Sequence, residues 1–455
     1  AGIPFYQGGA GSIYTHDVSG TDNDALRNTA YGITALDAIT TADNCTALGY
    51  NALSSNTTAP ANTAVGGEAL FTNTTGGSNT AVGHYALRTN NGAENTAIGV
   101  QAMRLNTTAG QNTAVGYEAM EANTTGVRNL AIGYGAYRQS DTENDNIGIG
   151  YQAMHTDTAG GTGNLALGNY VLDALTSGDY NVGIGLNAMT AMTTGGSNVA
   201  IGRNALSTAT TQTDNVGVGM HALAASAVSH TTAIGSYSLY QNTTGTGNTG
   251  VGYTTLETNT TGSDNTAVGS DALDANTTGN NNIAIGRDAL GANTTASFNV
   301  GIGSNSLDAN TTGTSNTAVG KDALGANVGG GYNVAVGRGS QDAATGASNN
   351  VSMGYNSLSA ASGGNNTAVG HQCMKNSTST YSTAMGYNAL TGAGGDYSCA
   401  FGMNAGAANT ANSNIFFGYD AGTANTSGAR IVAIGMDAYD ASDTEADNMA
   451  IGFEA

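Results

Sequence analysis

Two short acidic segments contain the clearest group of side chains that could do chemistry. They read Ser140-Asp-Thr-Glu-Asn-Asp-Asn146 and Ser442-Asp-Thr-Glu-Ala-Asp-Asn448. Because clustered carboxylates can hold Ca²⁺, the candidate metal ligands are Asp141, Glu143, Asp145, Asp443, Glu445 and Asp447. The spacing is not that of an EF-hand loop. The first interpretation is therefore a pair of solvated acidic turns, with calcium binding as the alternative.

The other reactive side chains are scattered and form no catalytic pattern. No two of the six histidines share a metal-ligand spacing, and no Ser-His-Asp arrangement is identifiable. Cys45, Cys373 and Cys399 lack CxxC or Cys/His spacing and are interpreted as small buried hydrophobic residues. Strings such as Gly148-Ile149-Gly150 do not lead into a helix, so phosphate binding is not expected. The sequence predicts a protein that is not an enzyme and has no cofactor.

The composition excludes several kinds of partner. The chain has 455 residues, with 69 Gly, 2 Pro, no Trp and a net charge of −21. Only 9% of its residues are charged, against about 25% in ordinary domains. It has no cluster of cations for nucleic acid or an anionic membrane surface, and no apolar run of about 18 residues that could span a membrane. We expect neither nucleic-acid binding nor membrane insertion.

One repeat runs through nearly the whole chain. The glycine that ends the motif Asn-Thr-Ala-Val-Gly recurs 26 times from Gly32 to Gly452. Of the 25 intervals, 18 are 17 residues long, six are 16 and one is 18. Self-similarity at a fixed period is the signature of a repeat architecture.

The unit 62–78 shows the pattern, and its positions are numbered here 1 to 17 from Asn62. Positions 2 and 4 are mostly Thr or aliphatic, position 3 is almost always Ala or Gly, and position 9 is usually Leu or Met. Since positions 2 and 4 share a strand face, we expect them to point into a core. Position 3 would then face outward, against a neighbouring chain. Asn-Thr-Thr-Gly at positions 12 to 15 indicates a turn.

These features predict an all-β fold, a parallel β-solenoid or β-roll of about 26 coils of about 17 residues. We expect two short strands and two turns per coil, about three large inward side chains, and ladders of stacked Asn side chains. So few apolar groups barely offset the entropy of ordering a coil. A parallel homotrimer around the Ala/Gly face is therefore expected.

The chain ends and one zone depart from the repeat. Residues 1–27 are expected to form an N-terminal cap or a junction to a missing part, and 28–455 to form the repeat shaft. Because the last residues stop within a repeat, we expect that a C-terminal piece is absent. Four consecutive 16-residue intervals lie between Gly354 and Gly418. This zone is interpreted as a packing variant, with a binding site as the alternative.

Two further properties follow from the turns. Asn-Thr-Thr matches the N-glycosylation pattern, but the turn requires Asn in any case, so the match is interpreted as incidental. Exposed Thr rows on a flat solenoid are similar to those of ice-binding proteins. Here the Thr pairs are expected in turns beside Asn and Gly, which disfavours ice binding.

The repeat resembles two known families. The string N-T-A-V-G-x-x-A-L followed by N-T-T-G, as in Asn62–Leu70 and Asn73–Gly76, resembles the repeat shaft of bacteriophage tail fibres. Asn198–Gly202 (Asn-Val-Ala-Ile-Gly) and Asn282–Gly286 (Asn-Ile-Ala-Ile-Gly) are similar to head repeats of trimeric autotransporter adhesins. The resemblance covers residues 28–455.

The resemblance implies a structural or adhesive fibre that serves host attachment. A phage tail-fibre shaft is the first hypothesis, since no coiled-coil stalk or membrane anchor is present in the sequence. A bacterial surface adhesin is the alternative, and an inert extracellular filament or an ice-binding solenoid comes next. The implied location is the virion surface or the extracellular space. The implied partners are further copies of the chain, a cell-surface receptor such as a glycan, and other fibre or virion proteins at the N-terminus.

Overall fold

The chain folds as a parallel β-solenoid of about 25 turns of about 17 residues, as the repeat predicts. The computed structural model describes residues 6–8, 11–15, 24–139, 141–156, 161–360, 362–441 and 444–455. This described part is all-β and has no helix, hence none that could cross a membrane. The chain divides into two compact units, residues 1–229 and 230–455.

The described residues of the first unit form strands β1 to β14. Their bounds are β1 Tyr6–Gln7, β2 Ile13–Tyr14, β3 Thr29–Tyr31, β4 Thr46–Leu48, β5 Thr63–Val65, β6 Thr80–Val82, β7 Thr96–Ile98, β8 Thr113–Val115, β9 Leu130–Ile132, β10 Ile147–Ile149, β11 Leu165–Leu167, β12 Val182–Ile184, β13 Val199–Ile201 and β14 Val216–Val218.

The described residues of the second unit form strands β15 to β28. Their bounds are β15 Thr232–Ile234, β16 Thr249–Val251, β17 Thr266–Val268, β18 Ile283–Ile285, β19 Val300–Ile302, β20 Thr317–Val319, β21 Val334–Val336, β22 Val351–Met353, β23 Thr367–Val369, β24 Thr383–Met385, β25 Cys399–Phe401, β26 Ile415–Phe417, β27 Val432–Ile434 and β28 Met449–Ile451.

Within each unit, equivalent residues of successive coils pair in parallel. Ala64 of β5 pairs with Ala47 of β4 and Ala81 of β6, and this register repeats along the stack. Hydrogen bonds between coils continue outside the strands. The Glu68 N–H donates to the Tyr50 carbonyl at 2.8 Å, and the Leu70 N–H to the Ala86 carbonyl at 3.1 Å. Each coil is therefore bonded to its neighbours around most of its perimeter.

The orientation of the strands is opposite to the one that the sequence pattern predicts. Position 3, as in Ala64 and Ala267, is fully buried inside the coil. Positions 2 and 4, as in Thr266 and Val268, lie on the outer surface and are half-exposed. The expectation that the Ala/Gly face packs between chains is therefore wrong. The coil is so narrow that the middle of the strand has room only for a small side chain.

The second predicted strand is also absent from the described coils. Positions 7 and 9 adopt left-handed backbone conformations, as in Glu68 (φ 55°) and Leu70 (φ 50°), so this segment is a sequence of turns. Leu70 nevertheless points inward and is fully buried, as expected. Typical coils thus contain one large inward side chain, at position 9, where about three were expected.

The repeat glycine at position 5 is required by both conformation and space. Gly66 has φ 130°, a region that residues with a Cβ rarely adopt. A Cβ on Gly66 would lie 2.6 Å from the carbonyl carbon of Gly83 in the next coil. Because the glycines of successive coils stack closely on each other, a side chain here would separate the coils.

The predicted Asn ladders are present, and they lie in the core. Asn265, at position 1, donates from Nδ2 to the Gly279 carbonyl at 2.9 Å. Its Oδ1 accepts the backbone N–H of Asn282 at 3.0 Å. At position 12, Nδ2 of Asn276 donates to Oδ1 of Asn259 at 2.7 Å. These buried amides satisfy backbone groups of neighbouring coils, which compensates for the small apolar core.

Replacing Asn265 by alanine is expected to lower the free energy of unfolding of the second unit by about 2–3 kcal/mol. The substitution leaves the buried N–H of Asn282 without its acceptor, and an unsatisfied buried donor costs about 1–3 kcal/mol. The adjacent exposed Asn281→Ser is the control, since Ser315 occupies the same repeat position. Thermal melting and hydrogen exchange measure the difference. Equal stability of the two variants would contradict a structural role for the ladder.

The beginning of the solenoid is covered by a short hairpin. Strands β1 and β2 pair antiparallel, and β2 pairs in parallel with β3. Tyr14 of β2 lies beside Ala30 in the position 3 register and is fully buried. A large ring thus lies at the end of the narrow core, beside the first coil. That residues 1–27 form a cap or a junction stays a prediction.

Candidate functional site

The outer surface of the strands is the most distinctive surface of the molecule, and it is called the strand face here. It consists of positions 2 and 4 of the 26 strands from β3 to β28. None of these 52 residues is charged: 12 are Thr and the rest are apolar. In a chain with 32 acidic and 11 basic residues, a solvated surface of this length would be expected to contain charges. The composition therefore indicates a surface that contacts either an apolar surface or ordered water.

The apolar side chains of the strand face are substantially exposed in the single chain. Ile285 is 39% exposed and Ile415 is 45% exposed. Exposed apolar patches on monomeric proteins rarely exceed a few hundred Å². With coils about 4.8 Å apart, the face continues for roughly 55 Å within each unit. A continuous apolar strip of this length is typical of a surface that docks against another molecule.

Two rows of side chains border the strand face. The glycine-side row is position 6, the residue after each repeat glycine, and the asparagine-side row is position 17, the residue before each position 1. In the glycine-side row, the rings of Tyr117, Tyr134 and Tyr151 stack at 5.2 Å. In the asparagine-side row, Tyr381 and Tyr397 stack at 5.3 Å and are exposed. Aromatic side chains thus extend the apolar strip at both edges.

The zone of shorter coils keeps the strand face intact. In the coil from Gly370 to Gly386, the missing residue falls in the turn that carries positions 12 to 14, because the strands β23 and β24 keep full register. His371 stacks between Tyr355 and Tyr387, at 5.2 and 5.1 Å, on the glycine-side row. The packing-variant interpretation therefore applies to the turn at positions 12 to 14. The strand face and its glycine-side row in this zone are rich in aromatic residues and Met.

The carboxylates of the first acidic segment are engaged separately. Glu143 is buried, and its Oε2 accepts the backbone N–H groups of Asp141 and Thr142 at 2.8 and 3.0 Å. Asp141 accepts the Thr124 hydroxyl. Asp145 pairs with Arg128 at 2.6 Å, and this hydrogen bond holds the pKa of Asp145 below its usual range.

The second acidic segment repeats part of this arrangement. Asp447 pairs with Arg430 at 2.5 Å, and the pKa of Asp447 is lowered by that hydrogen bond. Glu445 is exposed, and Asp443 lies outside the described residues. Among the residues that the structure describes, no three His, Cys, Asp or Glu side chains converge as a metal site would require. The geometry provides no support for the calcium hypothesis.

A tyrosine accompanies each acidic turn, a signal that the sequence analysis missed. Tyr137 and Tyr439 occupy position 9, where Leu or Met is usual, nine residues before Asn146 and Asn448. Nδ2 of Asn146 donates to Oη of Tyr137 at 2.7 Å, and Nδ2 of Asn448 to Oη of Tyr439 at 3.0 Å. The paired substitutions indicate that the acidic turns are a structural variant of the coil.

The second unit also carries a row of acidic residues that the sequence analysis did not identify. Asp274, Asp308 and Asp342 occupy position 10 in alternate coils, with Gly291 and Gly325 between them. Burial raises the pKa of all three carboxyl groups, and repulsion from neighbouring carboxylates adds to the shift. Charge is therefore unfavourable in these half-buried positions.

Replacing Asp274, Asp308 and Asp342 together by Asn is expected to raise the melting temperature at pH 7. A carboxyl with a raised pKa binds its proton more tightly in the folded state, so it favours folding at low pH. That contribution is lost as the pH rises through the raised pKa values, above the ordinary value of about 3.9. The wild-type chain should gain stability relative to the variant as the pH falls.

A control variant of equal charge carries Asp264→Asn, Asp440→Asn and Glu454→Gln, all at exposed sites. Melting curves from pH 7 to pH 4 compare the two variants with the wild type. If both variants shift the curves equally, the effect comes from net charge, and the burial argument for the position 10 row is wrong.

The cysteines do not form a reactive site. None of the three is in a disulfide, and Cys45 and Cys373 are buried. Burial raises the pKa of the Cys373 thiol to about 12, and it also raises the pKa of Cys45 and Cys399. The thiolate is the reactive form, so the buried Cys45 and Cys373 thiols are weak nucleophiles, whereas Cys399 keeps partial access to solvent. Cys399 lies on the strand face at position 2 of β25 and is half-exposed.

The Asn-Thr-Thr sequences are inaccessible in the folded chain. Asn73, Asn123 and Asn276, which begin three of them, are fully buried in the position 12 ladder. A glycan on Nδ2 would have to displace ladder hydrogen bonds. The geometry agrees with the interpretation of these matches as incidental.

Comparisons with known proteins assign no family. No protein-family model matches the chain, and no curated protein matches it significantly. The functional argument therefore depends on the repeat and on the strand face.

Proposed function

We propose that the chain is the shaft of a homo-oligomeric extracellular fibre, in which the strand faces of parallel copies pack together. The observation that carries this proposal is the uncharged strand face, which is present on every strand from β3 to β14 in the first unit and from β15 to β28 in the second. A second copy of the same chain is the occupant that fits, because its own face has the same length, repeat spacing and apolar character. This replaces the Ala/Gly face, which lies inside the coil, as the proposed interface.

A cyclic trimer is the assembly proposed. Three strand faces can meet around one axis, and rotation about that axis closes the assembly without leaving a face exposed. The exposed Val, Ile, Leu and Met residues would form its core, and the Thr residues of position 2 can find hydrogen-bond partners near its edges. Burial of each large apolar side chain contributes about 1.5–3 kcal/mol, repeated coil by coil.

Within this proposal the protein acts as a phage tail-fibre shaft for host attachment, located on the virion surface. The support is the N-T-A-V-G-x-x-A-L repeat and its resemblance to such shafts. A bacterial surface adhesin uses the same repeat, and it remains the alternative. Further partners are a cell-surface receptor, such as a glycan, and other fibre or virion proteins. Binding of the fluorescently labelled oligomer to a panel of bacterial cells tests attachment.

The mass of the native particle tests the assembly. Light scattering under non-denaturing conditions should give three copies of the 45.0 kDa chain. The native Cys399 provides a second readout, because a short bis-maleimide should cross-link it between copies. Cys399→Ser removes the cross-link, while the buried Cys45 and Cys373 should not react in the native state. A folded particle of 45 kDa without cross-links would contradict the proposed assembly.

Ice binding is the second candidate, and one observation favours it. The strand Thr residues face outward, contrary to the expectation from sequence, and Thr46, Thr63, Thr80, Thr96 and Thr113 form an unbroken row beside apolar residues of position 4. Such a flat, regularly spaced surface could order water only if no second copy covers it. Freezing-point hysteresis by a monomeric 45 kDa particle would favour this function over the fibre.

A further inference from the structure

The two rows that border the strand face differ in charge. The glycine-side row contains none of the 32 acidic residues, yet it contains four of the 11 basic ones: Arg203, Arg287, Lys321 and Arg338. The asparagine-side row contains five acidic residues, Glu94, Asp145, Asp214, Asp264 and Asp447, together with three arginines, Arg27, Arg128 and Arg430. In a chain of net charge −21, a row without acids is unexpected. The glycine-side row is thus suited to contact a row that carries acids or aromatic rings.

The asparagine-side row presents exposed rings at unfavourable backbone positions. Tyr332, Tyr381 and Tyr397 have left-handed φ values of 60°, 55° and 57° and are more than half exposed. Gly163 and Gly247 occupy the same row without such strain. Position 17 is left-handed in nearly every described coil, as in Ser78 and Asn281, so this conformation belongs to the coil itself. The exposed aromatic rings, however, are typical of a surface that contacts another molecule.

The two rows cannot satisfy each other within one chain. A residue of the asparagine-side row and the residue of the glycine-side row on the same coil are six positions apart in sequence, and the strand lies between them. At about 3.3 Å per residue, their Cα atoms are roughly 15–20 Å apart. A second copy can bring the two rows together.

Resting on the fibre assembly proposed above, we infer that the glycine-side row of one copy packs against the asparagine-side row of the next copy. The pairing is advanced by one coil: each glycine-side residue faces the asparagine-side residue of the coil that follows its own, so the copies need no axial displacement and a cyclic trimer can close. With that advance Arg203 faces Asp214, and Lys321 faces Tyr332. The first pair is an ion pair, and the second is a cation above an aromatic ring.

The same advance pairs aromatic residues elsewhere. Arg287 faces Phe298, and Tyr387 faces Tyr397. Without the advance, Arg203, Arg287 and Lys321 face Ser197, Asn281 and Ser315, which offer neither an anion nor a ring. Arg338 is the exception, since it faces Tyr332 without the advance and Asn349 with it. The opposite edge of another copy therefore offers these cations a partner in addition to the exposed pairs within the chain, Arg287 with Asp288 at 3.4 Å and Lys321 with Asp322 at 3.3 Å. Because each contact joins two different rows, the interface is heterologous, and the copies follow one another around the axis in one rotational direction.

Single-cysteine chains test this arrangement. In a Cys399→Ser background, chains with Tyr387→Cys, Tyr397→Cys or Tyr381→Cys are produced separately, refolded in pairs and oxidised. A disulfide requires Cα atoms about 4.4–6.8 Å apart. The mixture of Tyr387→Cys and Tyr397→Cys should form disulfide-linked dimers several-fold faster than the mixture of Tyr387→Cys and Tyr381→Cys. Thr378→Cys, on an exposed turn, is the control and should not link to Tyr387→Cys.

The outcomes separate this inference from the fibre proposal. Rapid linkage of Tyr387→Cys with itself would mean an isologous contact and would overturn the inference. Preferential linkage to Tyr381→Cys would overturn the one-coil advance. Absence of any link in a particle with the mass of several copies would overturn the edge contact but leave the fibre proposal standing. A monomeric particle would overturn the fibre proposal itself.

Discussion

Replacing Phe416 by alanine should destabilise the coils around β26 by about 3–5 kcal/mol, the usual cost of removing a buried phenyl ring. Phe416 occupies position 3, where nearly every other coil has Ala or Gly, and it is fully buried. The ring has room because Gly406 and Gly422 occupy position 9, where Leu or Met is usual. A Cβ on Gly406 would lie 2.5 Å from the Phe416 ring.

The compensating substitutions make this expectation sharp. Gly422→Leu alone should also be strongly destabilising, because a side chain there overlaps the Phe416 ring. The triple variant Phe416→Ala, Gly406→Leu, Gly422→Leu restores the usual repeat and should recover most of the stability. Leu390, at position 9 with φ 48°, shows that Leu accepts this backbone conformation.

Phe417→Ala is the matched comparison for this series, since Phe417 is 56% exposed on the strand face of the single chain. Its loss should weaken the proposed assembly and leave the coil itself stable. Stability in a solenoid is approximately a sum over repeats and their interfaces. Hydrogen exchange of residues 399–439 is therefore a better measure than a single melting temperature. A harmless Phe416→Ala together with a tolerated Gly422→Leu would mean that position 3 faces outward after all.

The period, the fold class and the Asn ladders could be predicted from the sequence because each depends on local chemistry. The glycine at position 5 requires a backbone conformation that few other residues adopt, so its spacing reports the coil length directly. Asn at positions 1 and 12 satisfies backbone groups that recur in every coil. These requirements are the same whether position 3 or positions 2 and 4 of the strand point into the core.

The orientation of the strands could not be obtained from the usual rule that large apolar residues lie inside. Ala64 and Val65 are adjacent, and the rule assigns Val65 to the core. In this narrow coil Leu70 already fills most of the interior, so only the methyl group of Ala64 fits beside it. One feature of the sequence does indicate the correct orientation. A large residue at position 3, Phe416, occurs together with glycine at position 9 in the same and the preceding coil, Gly422 and Gly406, and this compensation in size requires positions 3 and 9 to be in contact.

The strand face became identifiable only once its direction was known. Its lack of charge is visible in the sequence, but the same pattern is expected of a core. Half-exposed Ile285 and Ile415 distinguish the two cases. In the acidic turns, by contrast, the sequence pattern suggested a site that the geometry does not support. Their clustered carboxylates predicted a possible cation site, whereas Glu143 caps its own turn and Asp145 pairs with Arg128.

Four lysines on the strand face should dissociate the proposed fibre. In the variant Ile234→Lys, Ile285→Lys, Ile302→Lys and Ile434→Lys, every substitution is at position 4, at sites 36–42% exposed in the single chain. Assembly would bury four unpaired charges per copy against like charges from the other copies, at a cost of several kcal/mol each. The native mass should fall from three copies to one chain of 45.0 kDa, with the β-sheet circular dichroism spectrum retained.

A second variant separates the strand face from net charge. Thr244→Lys, Thr278→Lys, Thr295→Lys and Thr312→Lys add the same charge at exposed turn residues of the same unit. This variant should keep the mass of the wild-type particle, because these turns lie away from the strands. If both variants remain trimeric, the strand face is not the interface. If the wild type is itself monomeric and only the strand-face variant loses freezing-point hysteresis, the strand face binds ice. Ice binding, and not assembly, would then explain why the strand face has no charged residues.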